Sequence, residues 1–446
     1  MADAQFAYPH EALRETAQSA LAAAMRGGAG ACELHVSEGF GQTVTVRKGE
    51  VETIEYNRDK SLGVTVYIGK RSGYASTSDF SPAATADTVK AALAIATYTA
   101  SDDANGLADR ALMGRDAGDL ELFHPWSLSA EEAIEMAQEC EGAAFALDRR
   151  LTNSEGATVS TQHNQFVAAN TNGFCEGFRT TRHSISCSVI ASDRSGMQRD
   201  DWYSTMRAPE DLPSPRAVGE YAGKRALARL RSRRLSTRRI PVIFEAPVAS
   251  GLIGHFVSAV SGGNLYRKSS FLLDSLGQQV FPQHIQLREE PHVRRGLASS
   301  YFDDDGVATR SREVIKDGVV QGYFLSAYSA RKLGMQTTGN AGGSHNLVLS
   351  RGRLDLDGLI REMGTGLLIT DLMGQGINPV TGDYSRGAAG YWVQGGIIRH
   401  PVEEITVAGN LKDMFKAIVA TGNDVLTRGS RTCGSILVDG MTIAGS

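Results

Sequence analysis

Hydrolysis at zinc needs several neutral imidazole or thiolate ligands and a carboxylate that takes the proton from bound water. The apolar run Gly251-Leu-Ile-Gly-His-Phe-Val-Ser-Ala-Val carries one histidine, His255, and no acid. One imidazole supplies neither the ligand set nor the base. Cys433, followed by Gly434, is a weak candidate for a soft ligand, set against a small buried residue on a strand. Ser329-Ala-Arg-Lys332 has the spacing of a serine nucleophile and its lysine base, but no Lys-Thr-Gly element accompanies it. Asp303-Asp-Asp-Gly306 lacks the spaced oxygen ligands of a calcium loop and reads as a hairpin turn. No Gly-x-x-x-x-Gly-Lys-Ser/Thr string occurs, so ATP-driven unfolding is not indicated.

Two further strings have the composition of binding surfaces. Gly339-Asn-Ala-Gly-Gly-Ser-His-Asn346 is a glycine-rich loop in which His345 and Asn346 either line a groove or satisfy the turns themselves. Gly382-Asp-Tyr-Ser-Arg-Gly-Ala-Ala-Gly-Tyr-Trp392 offers Tyr384, Arg386 and Trp392 beside small residues that permit close backbone approach. A peptide adding to an exposed strand edge there is one expectation, and a barrel strand with a glycine bend is the other. His284, His292 and His400 have no spacing that suggests a site.

The elements that must position these residues follow from length and pattern. A chain of 446 residues exceeds one ordinary core. The net charge of −4 sets up no global attraction for nucleic acid. The basic run over 224–239 closes a helix and solvates a linker, with no interleaved aromatics for base stacking. Five cysteines without a Cys-x-x-Cys pair fit reduced thiols, and no run approaches the roughly 20 apolar residues of a membrane span. The expected location is the cytoplasm.

The first half repeats one arrangement. A helix over 10–25, strands at 32–36, 42–47, 51–56, 62–68 and 73–77, and a turn at Asn57-Arg58-Asp59 lead to Ser81-Pro82, a serine cap with proline at the first helical position. After a polar linker over 102–126, Ser129-Ala-Glu-Glu132 is a capping box, strands run over 151–206, and Ser214-Pro215 opens a closing helix. From 240 onward the strands are short and glycine-punctuated, with helices after Phe244 and at 356–363 and 411–418. The fold class is α+β. Two helix and antiparallel-meander units, 1–110 and 111–235, precede a curved or barrel-like antiparallel β domain over 236–446.

The segment Gly262-Gly-Asn-Leu-Tyr-Arg-Lys268, with Val51-Glu-Thr-Ile-Glu-Tyr-Asn57, Tyr328-Ser-Ala-Arg-Lys-Leu-Gly334 and Ile405-Thr-Val-Ala-Gly-Asn-Leu-Lys-Asp-Met414, resembles the TldD/PmbA family over essentially the whole chain. In the TldD branch a His-Glu-x-x-x-His motif precedes the Arg-Lys pair. Those three places fall here on Gly254, His255 and Ala259, a degenerate motif that looks like the PmbA (TldE) branch.

The resemblance implies a non-metal-binding subunit of a heteromeric TldD–TldE metalloprotease that cleaves unfolded or short peptides and matures peptide antibiotics. It implies no cofactor in this chain, zinc in a TldD-like partner, and no direct contact with nucleic acid or membrane. The family is also named for a proposed modulation of DNA gyrase. A homodimer of the isolated chain stays open, as does the alternative of a metal-free peptide- or partner-binding protein acting without a peptidase partner.

Overall fold

A computed structural model describes residues 6–115 and 118–445. Along Ala31–Arg47 every second side chain from Cys32 to Val46 is buried, the period of a strand covered on one face. Helix α1 (His10–Arg26) precedes this strand, β1, and β2 (Glu50–Ile68), β3 (Arg71–Thr77) and α2 (Pro82–Tyr98) follow it. The order then repeats as α3 (Ala130–Phe145), β4 (Leu151–Asn170), β5 (Cys175–Asp193), β6 (Gly196–Met206) and α4 (Pro215–Ala228). β1 pairs antiparallel with β4 from Glu33 opposite Asn170 to Val46 opposite Ala157. The two units therefore share one sheet, ordered β3-β2-β1-β4-β5-β6.

The helices start where local chemistry places them. Ser81 accepts from the Ala84 amide, Ser214 from Ala217, and Ser129 and Glu132 close a reciprocal capping box. α1 and α2 cover one half of the sheet through Leu13, Ala17, Leu34, Val64 and Val89. α3 and α4 cover the other through Ala137, Val159, Ile185 and Val218. The uncovered face carries hydroxyls, with Thr43 bonded to Ser160 and Thr45 to Thr158 across β1 and β4.

The turn expected at Asn57-Arg58-Asp59 is instead the middle of β2, opposite Gly41, Phe40 and Gly39 of β1. These residues lie on both faces of a stretch of β2 that is exposed throughout, so polarity there signals solvent and not chain reversal.

The last region begins with β7 (Arg238–Phe244), α5 (Ala246–Ala259) and α6 (Gly262–Tyr266). It continues through β8 (Leu287–Glu289), β9 (Arg312–Lys316), β10 (Val319–Val320), α7 (Ala327–Leu333), β11 (Leu347–Leu349), α8 (Leu356–Met363), β12 (Gly366–Met373), β13 (Asp383–Gln394) and β14 (Ile397–Asn410). It ends with α9 (Leu411–Lys416), β15 (Ile418–Thr421), β16 (Leu426–Arg428), β17 (Arg431–Cys433) and β18 (Ile436–Ala444). Strands β14-β13-β12-β7-β18 close into a five-stranded barrel through a β14–β18 pairing. A second sheet runs β10-β9-β8-β11-β17-β16. Pairing is mainly antiparallel, with β7–β12 and β11–β17 parallel. The class is α+β, with an open half-barrel sheet and a closed barrel. No helix among the described residues is long and apolar enough to cross a membrane.

The basic run does more than solvate a linker. Arg225, with a side chain 13% exposed, bonds Asp200 on β6 at 3.0 Å and Glu245, the residue before α5, at 3.0 Å. Arg229 joins the same group through Asp200 and Asp371. This buried network ties the half-barrel to the barrel and fixes the start of α5. The polar connection after α2 is likewise anchored, since Arg331 of α7 donates to the carbonyls of Ala104 and Gly106 at 2.7 and 2.8 Å.

Candidate functional site

Strand β7 delivers the chain to α5 at Phe244, and Leu252, Ile253 and Phe256 bury the apolar side of that helix. Gly254 and His255 lie on a different side and are partly exposed, whereas Ala259 is buried. Four side chains meet there. The His255 ring stands edge-on to Tyr384 of β13, with centroids 5.9 Å apart. The Arg431 guanidinium of β17 lies against Gly254, where an added β-carbon would sit 2.9 Å from Cζ. Arg386, two residues along β13 from Tyr384, donates to the Leu372 carbonyl at 3.2 Å.

Charge in this group is one-sided. His255 is pushed down to about 4 by burial first and then by the Arg386 and Arg431 guanidiniums, so its ring is neutral at pH 7. Tyr384 is pushed up to about 12 by burial, an effect that the Arg386 guanidinium partly offsets. The guanidinium stands near the Tyr384 hydroxyl but outside hydrogen-bond geometry, and the hydroxyl has no partner. Cys433 is fully buried, its thiol pushed up to about 12 by burial and by Asp424, and its Sγ points to the Ala246 carbonyl at 3.8 Å.

These donors do not fit a zinc site. A protonated thiol and one imidazole make no zinc ligand set, and the two guanidiniums that act on the imidazole repel a divalent cation. No group of three or more His, Cys, Asp or Glu side chains able to hold a metal occurs among the described residues.

The other residues singled out in the sequence lie elsewhere. His345 packs against Glu289 of β8, which accepts its backbone amide at 2.7 Å and also pairs with Arg312 at 2.7 Å. Asn346 is buried and binds the Ala298 amide, the Glu290 carbonyl and the Ser299 hydroxyl. Trp392 sits toward the far end of β13 beneath Arg238. The free strand edge expected near Tyr384 is absent, because β14 pairs one side of β13 while Gly376 and Asn378 bond the other at Ser385 and Asp383. Glycine at 390 does admit a close backbone, since a β-carbon there would meet the Leu368 carbonyl at 1.9 Å.

Ser329 closes a capping box with Ser326, and Lys332 pairs with Asp102 at 2.7 Å, so neither is poised for catalysis. Asp303 accepts the amides of Asp305, Val307 and Ala341, as a turn residue would. Arg431 was not evident from the sequence. The available signal was its position two residues before Cys433, which places both on one face of β17.

Comparison with known proteins accounts for this layout. Residues 32–96, 123–230 and 237–445 match the first, central and C-terminal domains of the PmbA/TldA metallopeptidases. The chain belongs to the PmbA/TldD family. It is 49% identical to the metalloprotease PmbA of Escherichia coli O157:H7, over 98% of this chain and 97% of that one. A PmbA homolog of Haemophilus influenzae is 47% identical over 97% and 96% of the two chains. The TldD homolog of the same organism is 25% identical over 69% and 68%. A crystal structure of a proposed modulator of DNA gyrase from Bacteroides thetaiotaomicron superposes with a TM-score of 0.92 at 27% identity, covering 97% and 99% of the chains.

Proposed function

We propose that this chain is the non-metal-binding PmbA/TldE-type subunit of a cytoplasmic heteromeric metalloprotease acting on unfolded or short peptides. The observation that carries the reading is the Arg431 guanidinium lying over Gly254, in the space that the first motif histidine would need. A cluster at that place that disfavours a cation supports a chain that holds no metal itself and forms a wall of a chamber whose zinc another subunit holds. The stronger similarity to the PmbA homolog than to the TldD homolog of one organism supports the same assignment. Five free cysteines suit a reducing compartment.

The test is reconstitution. The purified chain should cleave no peptide, and adding a TldD-type subunit should give chelator-sensitive cleavage. Robust cleavage by the isolated chain that survives EDTA would sink the proposal.

A further inference from the structure

The cluster that repels a cation has the donors to hold an anion. The Arg431 side chain makes no hydrogen bond or ion pair with another described residue, and its Nε is buried without a partner. Arg386 spends one Nη2 bond on Leu372 and also leaves its Nε unpartnered. The hydroxyl of Tyr384, a residue only 1% exposed, is orphaned as well. Buried donors without acceptors are costly, and both guanidiniums act on His255 with no ion pair to a carboxylate among the described residues. The arginines, Gly254 and His255 are partly exposed while Tyr384 is buried, so the group is open to solvent on its guanidinium side and closed at the phenol.

We propose that Arg431, Arg386 and the Tyr384 hydroxyl form a binding site for a carboxylate, the free C-terminus of a bound peptide. A planar guanidinium fork matches a carboxylate through two parallel N–H···O bonds, which a lysine could not supply. Neutral His255 beside it adds no competing charge. The oxyanion site follows from these side chains alone. The peptide as its bearer rests on the peptide-handling role proposed above.

The experiment uses the intact isolated chain and needs no metal-bearing partner, so its outcome is independent of whether a heteromeric protease forms. Calorimetric titration compares an N-acetylated tripeptide carrying a free C-terminal carboxylate with the same peptide as its amide, and with inorganic phosphate. The acid should bind at least about tenfold more tightly than the amide, the scale of a charge-assisted pair. Arg431→Met should abolish that preference and Tyr384→Phe should reduce it. The Arg431 side chain serves no partner within the fold, so Arg431→Met orphans no acceptor, and Arg431→Lys provides a second, charge-retaining variant that should keep only part of the preference.

Equal binding of acid and amide, or a preference unchanged in Arg431→Met, would overturn the site. Phosphate binding without any binding of the acid would overturn its assignment to a carboxylate.

Discussion

The guanidinium of Arg431 occupies the space beside the α-carbon of Gly254, so close that any β-carbon there would meet Cζ at 2.9 Å. This one relationship links the two ends of the barrel region. A histidine at 254 must displace that guanidinium, the movable tip of a long side chain. Gly254→His should therefore destabilise by no more than about 1 kcal/mol, the low end of overpacking costs. Adding Arg431→Ala should recover part of that loss, and the coupling is read from a double-mutant cycle of denaturant midpoints. Strict additivity would contradict the contact.

The ion network at the junction predicts a second effect. Arg225→Met leaves Glu245 buried without its cation and Asp200 with Arg229 alone, at 3.5 Å. Breaking a buried pair from one side should cost about 3–5 kcal/mol. Thermal unfolding should show the loss, while Arg234→Met, on the exposed part of the same basic run, should change little.

Thiol reactivity gives a third. Burial pushes both Cys433 and Cys32 up to about 12, so at pH 8 both are protonated and shielded in the folded chain. Iodoacetamide should modify neither under native conditions and both in denaturant, as counted by mass spectrometry. Rapid native alkylation of Cys433 would contradict the burial.

Histidine titration gives a fourth. His255 and His163 are both pushed down to about 4, His163 by burial and then by His183, against an unfolded value near 6.5. A depressed folded value contributes stability that is fully present above the unfolded value and is lost as pH falls through the folded one. Ring resonances of both should stay neutral to about pH 5 in an NMR titration, and titration near pH 6.5 would refute it. The wild-type stability advantage over His255→Leu should shrink between pH 6.5 and pH 4.

What could be read from the sequence was local. Ser81-Pro82, Ser214-Pro215 and the Ser129/Glu132 box announce their helices because each cap is complete within a few residues. Asn57-Arg58-Asp59 misled because turn-like residues also suit a strand whose outer face meets water. The pairing of β1 with β4 joins distant segments, and no local pattern announces it. Arg431 and Gly254 are likewise far apart in sequence, and no local pattern announces their contact. His345 and Asn346 were read from loop composition, which cannot distinguish a ligand groove from the Glu289 and Ser299 bonds they make.

The most direct test of the central claim is zinc binding by the isolated chain, measured by equilibrium dialysis followed by elemental analysis. The account predicts far less than one zinc per chain, with the residual amount unchanged in Cys433→Ser and His255→Leu. One tightly held zinc per chain, lost in those two variants, would contradict it.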